Sequence, residues 1–148
     1  MSPLALIAVG GNSIIKPGTE GTIDQQWQVA EETAAHAVSV IRAGYTVVIT
    51  HGNGPQVGNI LLRSEIARDK LPILPLDVCG ADAQGAMGYM IEQQLDRMLK
   101  RAGMKKEILA LVTQIVVDKN DPAFKKLSKP IGPFYSEADA KHQMAGSG

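Results

Sequence analysis

The stretch VITHGNGPQVGN, residues 48–59, changes character twice along its length. An apolar, β-branched run stops at a cluster of glycine, asparagine and proline, and apolar residues then resume at helical spacing. A buried strand that passes through a glycine turn into a helix accounts for all three parts. Pro55 suits a first helical turn. The segment therefore reads as a strand over 45–50 (YTVVIT) followed by a helix over about 55–67.

The same pattern occurs upstream. LALIAV, residues 4–9, is a short apolar run halted by Gly10, Gly11 and Asn12, and reads as a second buried strand. After the loop KPGTEGT, Asp24 is placed to cap a helix running to Ala43. Trp27, Ala30, Ala34, Ala37, Val38 and Ile41 form its apolar stripe, and Gly44 stands at its C-terminal cap. A long helix is expected over 80–102, capped by Asp77, striped by Gly88, Ile91, Leu95, Met98 and Ala102, and ended by Gly103. ILALVTQIVV, residues 108–117, reads as a third strand. Alternating strands and helices predict an α/β fold on a mostly parallel sheet covered on both faces. From Asp118 the chain turns polar and proline-bearing, which divides it into a sheet-forming part, 1–117, and a protruding lobe or flap, 118–148. It closes on the start of an apparent helix with no returning strand, and so reads as unfinished.

Composition bounds the partners. The chain has 148 residues, 45% of them hydrophobic, enough for one real core. Lys plus Arg and Asp plus Glu are both 15, so no net field draws it to nucleic acid or a membrane surface. A single cysteine, Cys79, excludes an internal disulfide framework and suits a reducing compartment. No run approaches a membrane span and no basic leader is visible, so a cytoplasmic location is expected.

Two strands thus end in glycine-bearing turns, Gly10-Gly11-Asn12 and Gly52-Asn53-Gly54. Ligands of open parallel sheets sit beyond the carboxyl ends of the strands. Glycine there admits close backbone approach or positive φ, and a helix N-terminus just beyond favours an anion. Asn12 and Asn53 add neutral amide donors. The plainer alternative is that these glycines only make tight turns. Two such turns, each with asparagine beside glycine, favour an oxyanion or phosphate site. With no Gly-Lys pair, a P-loop is excluded. Gly52, Gly54 and Gly58 approximate a dinucleotide fingerprint with Asp77 as ribose partner. That Rossmann-like alternative leaves the first turn unexplained. His51 has no acidic or cysteine neighbour and reads as structural, so no metal site is assigned. His36 and His142 read as surface residues, and Cys79 as a small core residue. Gly85 and Gly88 read as close helix-packing positions.

Together AVGGNSI, ITHGNGPQVGN, LPLDVCGADAQGAMGYM, VTQIVVD, DPAF and SKPIGPFYSEADAK resemble carbamate kinase, a family of the amino-acid kinase superfamily, in order from about residue 4 to 141. The resemblance implies an open αβα sandwich on a mainly parallel sheet. It implies reversible phosphoryl transfer between ATP and carbamate, giving carbamoyl phosphate and ADP with Mg²⁺, and usually run toward ATP in arginine or purine-derivative fermentation. The family's glycine turns, which hold carbamate and the transferred group, correspond to Gly10, Gly11, Asn12, Gly52, Asn53 and Gly54. Its motif lysine corresponds to Lys129, with Ser128 in place of the usual threonine. Many superfamily members carry a lysine before the first glycine pair; here Ala8 and Val9 stand there, which leaves Lys129 as the cation.

Carbamate kinases are about twice this length, and their C-terminal half binds the nucleotide. The implied state is an N-terminal portion, inactive alone, whose partner is a second copy (a homodimer) or the complementary half. A non-catalytic unit that binds carbamoyl phosphate or another oxyanion, or simply self-assembles, is the alternative from a different class.

Overall fold

The computed structural model describes residues 2–10, 21–126, 131 and 137–146. Strands β1 (Leu4–Val9) and β2 (Thr46–His51) pair in parallel, in register from Leu4 opposite Thr46 to Val9 opposite His51. Between them runs helix α1 (Ile23–Arg42). A parallel pair needs such a crossover, because a hairpin cannot return the chain in the same direction.

Helix α1 starts from Thr22, not from the expected Asp24 cap. The Thr22 hydroxyl accepts from the Gln25 N–H at 3.3 Å, and Gln25 Oε1 accepts from the Thr22 N–H at 3.0 Å. This capping box satisfies two otherwise unpaired donors at once, which a cap at Asp24 would leave open. Asp24 instead sits in the first turn, where its charge suits the helix dipole. At the other end Gly44 holds φ +95°, and Gly103 holds φ +69° after a later helix, as the expected caps require.

Helix α2 (Gly54–Ile66) and the long α3 (Leu76–Arg101) follow β2. Helix α3 begins four residues before the expected Gly80, directly after Pro75, which places Asp77 inside its first turn and not at its cap. The main core joins Ala34, Ala37 and Val38 of α1 to Leu95 and Leu99 of α3, over Ile7, Val47 and Ile49 of the sheet. Alanines on α1 let the two helices approach over the strands. A second cluster packs Val29 and Met87 on Val9. A third, of Val57, Cys79 and Ala83, fixes α2 to α3 and buries Cys79 completely, in the core role expected of it.

Two expectations fail for a shared reason. Residues 108–117 form no strand, and among the described residues only one face of the sheet is covered. Helices α1 and α3 cover one face; on the other, Leu4, Leu6 and Val48 are exposed, Leu6 to 66%. Among the described residues the sheet has two strands. The segment after α3 crosses that helix, with Ile108 against the core and Ala110 against Gly88. A cleft of about 390 Å³, floored by Gly88, Ile91 and Glu92, separates it from the edge of β2. With no strand beside it there is no ladder to join. The Gln84 amide substitutes locally, accepting from the Thr113 N–H at 2.8 Å and donating to its carbonyl at 3.3 Å. Leu109, Leu111, Ile115, Val116 and Val117 stay exposed, Val116 to 99%.

Beyond it lie a 3₁₀ turn at Pro122–Phe124, capped by Asp121, and helix α4 (Glu137–Gly146). No helix of the described residues is long and apolar enough to cross a membrane.

The two α3 glycines separate cleanly. A Cβ at Gly88 would lie 3.1 Å from Ala110 Cβ, whereas nothing lies within 4 Å of one at Gly85. Gly88 is thus the packing glycine and Gly85 is not. Gly85→Ala is expected to stabilise the chain by about 0.5–1 kcal/mol through helix propensity. Gly88→Val is expected to destabilise it by about 1–3 kcal/mol through overpacking. Urea unfolding of both variants checks this; equal stabilities would contradict the crossing.

Candidate functional site

The pairing of β1 with β2 decides where the two glycine turns lie. Val9 and His51 are the last partners in the register, so Gly10 and Gly52 leave the sheet side by side. The Gly52 N–H donates to the Val9 carbonyl at 2.9 Å, which ties the second turn to the end of β1. Of the expected site residues, Gly10 is exposed at the strand end, and Gly52, Asn53 and Gly54 are half-buried in the turn into α2. Gly11, Asn12, Ser128 and Lys129 lie outside the described residues, as does the side chain of His142.

Asn53 is the N-cap of α2, yet its side chain makes no capping hydrogen bond. Its Nδ2 instead donates to the Gly80 carbonyl of α3 at 3.4 Å, which fastens the turn across 27 residues of sequence. The first backbone N–H groups of a helix have no intrahelical acceptor. In α2 no described side chain fills that role, whereas in α1 the capping box does. The open N-terminus of α2 therefore stands behind the strand-end turn with unspent donors and the positive end of its dipole.

The sequence admitted two reasons for glycine here, and the structure separates them for the second turn. Positive φ among the described residues occurs at Gly21, Gly44 and Gly103, so neither Gly52 nor Gly54 needs it. What Gly54 supplies is space: among the described residues nothing lies within 4 Å of where its Cβ would be.

His51 is half-buried, with Nδ1 3.4 Å from the Gly52 carbonyl oxygen. Among the described residues no three His, Cys, Asp or Glu side chains gather in a way that would hold a metal ion. His36 is exposed, as expected.

Two residues were missed. Gln26 of α1 and Gln56 of α2 are buried, 7% and 8% exposed, and meet across the helix N-termini with Gln56 Nε2 donating to Gln26 Oε1 at 3.4 Å. Gln56 lies inside the opening quotation, two positions after Gly54. A glutamine in a first helical turn is ordinarily a solvated or capping residue, so only its position beside the glycine turn marked it.

Open backbone at the ends of neighbouring parallel strands, with an uncapped helix N-terminus behind it, is where open α/β folds bind ligands. The fold and this end of it define an α/β protein with glycine-bearing turns side by side at two parallel strand ends. Sequence and structure comparisons then narrow the class. No family model matches the chain. It is 46% identical over 143 residues to the carbamate kinase of Pyrococcus horikoshii, across 95% of this chain and 46% of that protein. The solved carbamate kinase from Giardia lamblia bound to citric acid superposes with a TM-score of 0.89 at 39% identity, over 99% of this chain and 47% of that one. The Giardia lamblia carbamate kinase bound to AMP-PNP gives a TM-score of 0.85 at 40% identity, over 98% of this chain and 46% of that one. The chain is a homologue of the carbamate kinases, with their fold, and spans about half the length of the relatives it matches.

Gly54→Ala tests the crevice against the fold. The methyl group meets no atom of the described residues, and alanine is the better helix former, so unfolding free energy is expected to stay level or rise by up to about 1 kcal/mol. Affinity for inorganic phosphate, used as the probe of an anion site at these strand ends, is expected to fall about tenfold or more, because the methyl takes up the space beside the turn. Titration calorimetry beside thermal unfolding checks both; unchanged affinity in a folded variant removes Gly54 from the site.

Proposed function

We propose that this chain is the phosphoryl-acceptor half of a carbamate kinase-type phosphotransferase. It binds carbamate and the phosphoryl group of carbamoyl phosphate at the paired strand ends, in the direction that transfers the phosphoryl group from carbamoyl phosphate to ADP and makes ATP. The observation that carries this reading is the register that sets Gly10 beside Gly52, in a chain homologous to carbamate kinases along nearly its whole length.

Each residue has a proposed role. Backbone N–H groups of Gly10, Gly11, Gly52 and Gly54 take phosphoryl and carboxylate oxygens, and Asn12 adds an amide donor. Asn53 holds the second turn against α3, leaving one further amide N–H for the ligand. Lys129 is the cation that neutralises the equatorial oxygens during transfer. Such transfer asks for positioning and charge compensation more than for covalent chemistry, which suits a cradle of neutral donors with one mobile cation. ATP or ADP and Mg²⁺ complete the reaction. A solved carbamate kinase homologue is bound to AMP-PNP, and this chain matches 46% of it; the nucleotide and its metal are assigned to the half that this chain does not match. A cytoplasmic setting and a role in arginine breakdown belong to the same proposal.

One observation favours a second reading. The bare sheet face of Leu4, Leu6 and Val48, with the exposed 109–117 segment, makes self-assembly or docking to a complementary half a condition of solubility. A unit that binds the acyl phosphate without turning it over is the alternative.

The purified chain, supplied with ADP, Mg²⁺ and carbamoyl phosphate, is expected to form no ATP above background, while light scattering shows a species larger than the monomer. Adding the C-terminal half of a homologous carbamate kinase is expected to restore turnover. Robust ATP formation by a monomer of the chain alone would contradict the division of labour, and a mixture that stays inactive would favour the non-catalytic unit.

A further inference from the structure

Two glutamines buried side by side need a reason, since neither is charged and neither caps its helix. Their hydrogen bonds form a chain with a direction. Gln26 Nε2 donates to the Gly21 carbonyl at 2.9 Å, Gln56 Nε2 donates to Gln26 Oε1 at 3.4 Å, and Gln56 Oε1 has no partner.

The two ends of an amide have nearly the same shape, so their assignment follows from their neighbours. Here the neighbour is decisive. A backbone carbonyl only accepts, so Gln26 must turn its NH₂ to Gly21. Its oxygen then faces Gln56, which must turn its own NH₂ inward. Reversing either amide would set oxygen against oxygen. The free end of Gln56 is therefore an acceptor, fixed as one from five residues before α1's Gln26. A buried acceptor without a donor is costly, and such groups are rare in folded proteins.

Direction follows from helix geometry. Side chains lean toward the N-terminus of their own helix and lie over the preceding turn. Gln26 does so, reaching back to Gly21. Gln56 is the third residue of α2, two positions after Gly54, so the same lean directs it toward the turn proposed to hold the ligand. That turn otherwise presents the first N–H groups of α2 and the Asn53 amide, whose second N–H donates and whose Oδ1, half-buried and within reach of water, accepts.

We infer that Gln56 is a specificity residue whose Oε1 accepts a hydrogen bond from the amino group of the carbamoyl ligand. This deepens the proposed acyl-phosphate site and rests on it. A ligand that completes this end of the molecule carries anionic oxygens for the donors and an N–H for the one acceptor here that is buried and unpaired. A carbamoyl group joined to phosphate has both. An acetyl group joined to phosphate has the same outline with a methyl in place of NH₂, and leaves Gln56 Oε1 unpaired. A site whose buried polar group goes unpaired rejects the analogue that lacks the partner.

Titration calorimetry of the chain with carbamoyl phosphate, acetyl phosphate and inorganic phosphate tests this. The unsubstituted chain is expected to bind carbamoyl phosphate roughly ten- to a hundredfold more tightly than acetyl phosphate. In Gln56→Met, similar in length but without the amide oxygen, that ratio is expected to fall to within about threefold of unity. Gln56→Asn keeps the amide and withdraws it by one methylene; it is expected to lose the preference likewise, and serves if the methionine variant does not fold. Equal affinity of the unsubstituted chain for the two acyl phosphates overturns the role of Gln56, as does a preference that survives both substitutions. If none of the three anions binds, the acyl-phosphate site itself fails and the inference falls with it, a result distinct from binding without discrimination.

Discussion

The parallel pairing of β1 with β2, in one fixed register, is the constraint on which the rest of this molecule depends. It is set by burial: Ala5, Ile7, Val9, Val47 and Ile49 must face α1 and α3 together. Because the side-chain period of a strand is two, a slip of one residue would turn one strand's apolar set away from those helices. The same register brings Gly10 level with Gly52, and the Gly52 N–H closes the ladder on Val9. Core packing and site geometry are thus one requirement, met at opposite ends of the same six residue pairs.

A second consequence follows from the uneven capping of the helices. Helix α1 carries a complete capping box and begins with its donors satisfied. Helix α2 begins with glycine and proline, and with an asparagine whose side chain is engaged elsewhere. A helix without a cap is less stable by about 1 kcal/mol, so the sequence of α2 is poor for stability at the one helix start that adjoins the strand ends. Local choices that contradict stability concentrate where a protein binds its ligand.

Much of this was legible from residues alone, and the failures have physical causes. β-Branched runs bounded by glycine gave both strands, and Gly44 and Gly103 marked helix ends because only glycine holds φ of +95° and +69° at little cost. Thr22 was passed over for Asp24, since either can cap; what decides is Gln25 at the third helical position, which completes the box with Thr22. Residues 108–117 have strand composition but no strand beside them, and a ladder is a property of two segments. The bare side of the sheet was invisible for the same reason, because apolar residues on both faces announce coverage without saying which chain supplies it. Gly10, Gly52, Asn53 and Gly54 were legible as site candidates through the turns they make. Gln26 and Gln56 were not, because a paired buried amide is recognised only when its partner, distant in sequence, is seen.

The central claim is that the register assembles an oxyanion cradle at the paired strand ends. Residue-resolved amide NMR of the isotopically labelled chain, titrated with carbamoyl phosphate, tests it most directly. The account predicts the largest and saturable shifts at the N–H groups of Gly10, Gly52, Gly54 and Gln56, with Gly44 and Gly103 unmoved. Shifts that leave those four amides in place and gather instead along the cleft between β2 and residues 107–113 would contradict it.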